Sequence, residues 1–145
     1  MAYIPKHPKW WLATVVEEIR VEGAKRNIIH LNYVLVRADS AENAYSKAMK
    51  MGKQASSDYR NPAGKKVRIR FRGLRNLDVI HDDLEDGSEL MFQERLGLSE
   101  PAIRKLVRPK RQLEAFLPVR RRPGRPDYMS KEIMDKLRQT LSRDA

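Results

Sequence analysis

The sequence predicts an α+β domain: a mainly antiparallel four-stranded sheet in the order β-β-α-β-β, with one main helix packed on it and short C-terminal helices after it. Three observations carry this. Runs 9–23 and 27–39 are rich in β-branched and aromatic residues that alternate with period two. The period then changes to a helical one across 39–54. A third alternating run follows over 66–81. At 145 residues the chain fits one domain with an appended tail, long enough to bury a core without staples.

The first strand, in "KWWLATVVEEIRVEG", places Trp11, Ala13, Val15, Ile19 and Val21 on one side, with Glu17 near an edge or end of the sheet. Trp10 and Trp11 point to opposite faces, so one is expected in the core. The other, with Tyr3, offers a protein contact. "EGAKRN" then reads as a hairpin connection. In the second strand, Ile29, Leu31, Tyr33 and Leu35 share one face, and His30, Asn32, Val34 and Val36 share the other.

Asp39 with Glu42 has capping-box spacing, and Ala41, Ala44, Tyr45, Ala48 and Met49 recur at helical intervals. A helix is expected from about Ser40 to Met51, with Gly52 as its stop or with continuation towards Ser56. Residues 56–66 read as loop. In the third strand Val67, Ile69 and Phe71 face in while Arg68, Arg70 and Arg72 face out, and Gly73 marks a bulge where the phase shifts to Leu74, Leu77 and Val79. An acidic turn pivots at Asp86-Gly87, and "SELMFQERLG" is expected to return as a fourth strand, paired with the third. A short helix capped by Ser99, with Pro101 in its first turn, ends before Pro109. A last helix is capped by Ser130 and carries Ile133, Leu137 and Leu141 on one stripe. The expected organisation is an N-terminal arm 1–9, a compact domain 10–116, a basic Pro/Arg-rich linker 117–129 and a C-terminal helix 130–145.

Charge is the strongest functional signal. Thirty Lys and Arg against 19 Asp and Glu give +11, which favours an anionic partner. Residues 117–145, one fifth of the chain, hold +4 of it. There are no cysteines, so disulfides and thiolate metal sites are excluded, and the composition suits a reducing cytoplasm. No apolar run is long enough to cross a bilayer, and residues 1–9 lack the apolar core of a signal peptide.

Three stretches together, "WWLATVVEE", "VLVRADSAENAYSKAMKMG" and "AGKKVRIRFRGLRNLDVIHDDLEDGSELMF", resemble a family of small bacterial proteins catalogued only as a domain of unknown function. The landmarks are a Trp-rich first strand, an A-D-S-x-x-x-A helix start, a G-L-x-x-L-D-V-I strand and an L-E-D-G-x-E-L turn. The resemblance covers roughly residues 10–96. It implies one sheet-plus-helix domain and carries over no active site. The tail "RRPGRP" resembles an AT-hook, whose Gly-Arg-Pro core lies in the minor groove of A·T-rich DNA. Gly124, Arg125 and Pro126 would be the core and Arg122 the arm, but Pro123 stands where the usual hook has a second groove arginine.

Catalytic chemistry finds little support. His7, His30 and His81 have no partners at metal or triad spacing, and Glu17 and Glu18 point to opposite faces. Asp82, Asp83, Glu85 and Asp86 fail EF-hand spacing, with Leu84 at a ligand position and Gln93 where a bidentate Glu belongs. There is no Walker loop, G-x-G-x-x-G or G-x-S-x-G. No enzyme, cofactor or metal is expected.

The first expectation is therefore a non-enzymatic, cytoplasmic binding protein that contacts DNA or RNA. Its contacts would be Arg120, Arg121, Arg122 and Arg125, helped by Lys66, Arg68, Arg70 and Arg72 on one strand face. The plainer reading of that face pairs its arginines with acids of a neighbouring strand, such as Glu89 or Glu94. The rival expectation is a protein-interaction module of immunity, antitoxin or adaptor type, docking a partner or a second copy through Ile133, Leu137 and Leu141.

Overall fold

The computed structural model describes residue 7, residues 9–118 and residues 125–143, with side chains in the last helix described as far as 139. By Cα proximity it divides into two units, residues 1–91 with 126–145, and residues 92–125.

In the first unit, β1 (Trp10–Val21), β2 (Ile28–Arg37), α1 (Ala41–Gln54), β3 (Ser57–Arg60) and β4 (Lys66–Val79) follow in order, and α3 (Lys131–Arg143) closes the chain. The second unit holds α2 (Glu100–Leu106) and the 3-10 turns Lys110–Gln112 and Glu114–Phe116. The four strands form one antiparallel sheet, spatial order β2-β1-β4-β3.

β1 sits between β2 and β4, which is why its burial is the most continuous. Its register with β2 runs without a break from Trp10 opposite Arg37 to Ile19 opposite Ile28. Its register with β4 slips twice, leaving Arg75 and Arg72 as extra residues on β4. Between the slips lies Gly73, whose φ of 137° an L side chain rarely adopts. The bulge predicted at Gly73 is thus present. It lets Val79, Leu77, Leu74, Phe71, Ile69 and Val67 all reach one face.

That face carries α1. Trp11, Ala13, Val15, Val36 and Val79 pack with Ala44 and Ala48 of the helix. Beyond the helix, Ile19, Val21 and Val67 form a second cluster with Ile28, Tyr59 and Ile69. The buried member of the tryptophan pair is Trp11, whose Nε1 donates to the Ala38 carbonyl at 3.0 Å. Trp10 lies half-buried on the other face, beneath the Arg37 guanidinium.

Three local expectations are corrected. Ser40, not Asp39, caps α1: its Oγ accepts from the Asn43 amide at 3.1 Å, and Asp39 Oδ1 accepts from the Asn43 side chain. Gly52 does not stop the helix. It lies inside α1 against the Phe71 ring, where a Cβ would overlap ring carbons. The strand expected over 88–97 is not formed, and the outer partner of β4 is Ser57–Arg60, within the stretch read as loop. The nearer segment is locked by Asn61, whose Oδ1 accepts from the Lys65 amide at 3.0 Å. The two bulges also bend the outer side of β4 away from a straight pairing edge.

Candidate functional site

The sheet has a second face, away from α1. β1 contributes Trp10, Leu12, Thr14, Val16 and Glu18 to it, opposite Arg37, Leu35, Tyr33, Leu31 and Ile29 of β2. Leu12 and Thr14 are buried, but Ile29, Leu31, Tyr33 and Leu35 are 51%, 43%, 59% and 40% exposed. Pairing across β1 and β4 puts the basic residues on the same face: Arg70 is opposite Glu18 and Arg68 opposite Arg20.

The arginines of that face are engaged. Arg70 holds Asp58 in a two-pronged contact, Nη1 to Oδ1 at 2.7 Å and Nη2 to Oδ2 at 3.1 Å, and Arg68 stands 3.9 Å from the same carboxylate. Arg72, although extra in a bulge, reaches Glu18 at 3.3 Å, and Arg20 reaches it at 3.0 Å. The acids that neutralise the face are thus Asp58 and Glu18 rather than Glu89 or Glu94. Hydrogen bonding from Arg70 holds the Asp58 carboxyl below its ordinary range and raises the Arg70 guanidinium in return. Glu18 is lowered first by the hydrogen bond from Asn27, then by Arg20 and Arg72. Lys66 is exposed at the start of β4.

Of the predicted tail contacts, Arg120, Arg121 and Arg122 lie outside the described residues, and Arg125 is exposed. Directly after it the chain is held to the sheet. Asn61 Nδ2 donates to the Asp127 carbonyl at 3.0 Å, and the Tyr59 hydroxyl donates to the Tyr128 carbonyl. The Tyr128 ring meets His30 edge to face at 5.2 Å. Burial pushes the Tyr59 phenol above its ordinary value, with Tyr128 and Asp127 adding to the rise. Sequence reasoning missed this clasp; its only trace is two tyrosines and an Asn-Pro turn within stretches read as loop. In α3, capped by Ser130, Ile133 and Leu137 are exposed, while the Leu141 side chain lies outside the described residues.

The second unit has a different character. Residues 92–125 contain ten Lys and Arg against three Glu, so this quarter of the chain holds +7 of the total +11. It also contains Phe92, Leu96, Ile103, Leu106, Val107, Leu113 and Phe116, all substantially exposed, with Phe92 at 72% and Leu96 at 85%. None of its described residues is buried. Ser99 caps α2 by accepting from the Ala102 amide, and Lys110 stands over the Phe116 ring at 5.2 Å. Local bonds give this segment shape, yet its described residues form no core of their own.

No group of His, Asp and Glu among the described residues is arranged to hold a metal. The acidic turn is closed by its own bonds: Ser88 Oγ donates to the Asp83 carbonyl and accepts from the Glu85 amide, with Gly87 at φ 89° as pivot. Among the described residues no helix is long and apolar enough to cross a membrane. A family model described as "Domain of unknown function (DUF4288)" matches residues 10–92. No curated protein and no solved structure matches the chain.

Proposed function

We propose that this chain, which belongs to the DUF4288 family, is a non-catalytic protein-binding module whose arm, residues 92–118, takes an acidic and apolar surface of a partner protein. The observation that supports this most is the arm itself. Large apolar side chains spaced through 92–117 stay substantially exposed, and a segment that buries none of them fully gains little from ordering alone. Segments of this kind gain their stability on a partner. Residues 92–118 themselves carry six Lys and Arg against three Glu, a net of +3, which favours an acidic one.

Nucleic-acid binding is the second reading, favoured by the four arginines at 120, 121, 122 and 125. It is weakened by the ion pairs that already engage Arg68, Arg70 and Arg72. Two variants separate the readings: Phe92→Ser with Phe116→Ser, and Gln at positions 120, 121, 122 and 125. If the arm binds protein, nuclease-treated preparations retain a stoichiometric partner with the arginine variant and lose it with the phenylalanine variant. Salt-sensitive DNA or RNA binding that only the arginine variant loses would establish the second reading instead.

A further inference from the structure

We infer that β2 pairs antiparallel with β2 of a second copy of this chain, joining the two sheets across a twofold axis. The starting point is which backbone groups β2 leaves outward. The Ala38 amide donates to the Lys9 carbonyl at 3.0 Å, so residue 38 points towards β1. With the unbroken register, the even residues of β2 share that direction. Ile29, Leu31, Tyr33 and Leu35 therefore turn their N–H and C=O groups away from the sheet. They also carry the exposed apolar side chains. One set of residues thus presents both an open hydrogen-bonding edge and an apolar stripe.

β2 is an edge strand of ten residues with no proline, no bulge and no acidic residue. The other open side of the sheet lacks these qualities: β3 is four residues long, and β4 is bent at Arg72 and Arg75. Proteins ordinarily blunt a long apolar edge with charge, proline or a bulge. Here only the end is blunted, where Lys47 Nζ donates to the Arg37 carbonyl at 2.9 Å.

The near-absence of charge along β2 suits a copy of the same strand, because the strand meets itself without like charges opposed. Arg37 is the only Lys or Arg of β2 and lies at its end. With Tyr33 opposite Tyr33, Leu31 faces Leu35 and each Arg37 faces Ile29 of the other copy, so the two arginines stand at opposite ends. Ile29 neighbours Glu18 on β1, a carboxylate that Arg20 and Arg72 already pair, so this register keeps the two Arg37 side chains apart and adds no new ion pair. The outward-pointing residues meet one another in this register, as the narrow hydrogen-bonded pairs of an antiparallel ladder require. Such an interface is isologous and self-limiting. It is independent of which ligand the arm takes.

The test is hydrogen exchange on the full chain, residue by residue, over a dilution series followed in parallel by light scattering. Expected are a mass of twice 16.9 kDa at the higher concentrations and protected amides at 31, 33 and 35. Dilution should release these three while the even-numbered amides stay protected. Leu31→Lys with Leu35→Lys should abolish the dimer and the odd-residue protection together, with β1–β2 protection kept. A monomer throughout, or a dimer whose amides at 31, 33 and 35 exchange freely, overturns the inference. That conclusion needs no variant to fold.

Discussion

Asn61, 2% exposed, donates from its side chain to the carbonyl of Asp127, 66 positions later in the chain, while its Oδ1 accepts from the Lys65 amide. One buried amide thus closes the β3–β4 hairpin and fastens the segment that leads into α3. Replacing it with alanine leaves the Lys65 amide and the Asp127 carbonyl without these partners. A net loss of roughly 1–2 kcal/mol is expected. Denaturant unfolding of Asn61→Ala measures it, and limited proteolysis should cut faster between α2 and α3.

Gly52→Ala sets two effects against each other. Alanine improves helix propensity by up to about 1 kcal/mol. The new Cβ would overlap the Phe71 ring, which is packed against the core, and overpacking of this kind costs roughly 1–3 kcal/mol. The clash should win, giving a lower midpoint of thermal unfolding. Adding Phe71→Leu should recover part of the loss, so the two substitutions should be non-additive in a double-mutant cycle.

The carboxyls of Asp58 and Glu18 are both held below their ordinary values in the folded state. Groups depressed in this way stabilise the fold above the unfolded carboxylate pKa, and the contribution fades as pH falls through the folded value. Stability should therefore drop on acidification below the ordinary carboxylate range. Asp58→Asn should be destabilised at neutral pH and lose less than the parent on acidification. Urea unfolding at neutral and acidic pH distinguishes the two slopes. Added salt should weaken the effect, because Asp58 and its two arginines are substantially exposed.

The Tyr59 phenol shifts the other way. Its pKa is raised in the folded state, so its contribution is present below the ordinary phenol value and is lost as pH rises through the folded one. Alkaline titration should release residues 126–130 before the sheet unfolds. The ring proton shifts of His30, which the Tyr128 ring meets edge to face at 5.2 Å, report the release. Tyr59→Phe keeps the ring and removes the titration; in it the release should no longer track alkaline pH.

The parts of the fold legible in sequence are those where one face is buried. Trp11, Ala13 and Val15, then Val67, Ile69 and Phe71, impose a period of two because one face is buried, the first three and Phe71 in the cluster with α1 and the other two in the second cluster. Gly73 shows the bulge because the phase changes on either side of it. β3 escaped because Ser-Asp-Tyr-Arg has no alternation; hairpin closure at Asn61 makes it a strand. The opposite error arose at 88–97, where apolar residues alternate as a strand's would but find no straight edge to join. Apolar pattern cannot say whether a side chain is covered, and so the exposure of Phe92 and Phe116 was invisible from sequence. The arginine pairs were legible in kind, since neighbouring strands neutralise charge. Their partners depended on strand order.

The most direct measurement of the binding account is photo-crosslinking in the producing cell, with a photoreactive phenylalanine analogue at position 92 or 116 and, for comparison, at position 122. The account predicts a discrete, nuclease-resistant protein adduct from positions 92 and 116, to a partner with an acidic surface. Adducts that nuclease digests, strongest at position 122, would contradict it and make the arginines the contact.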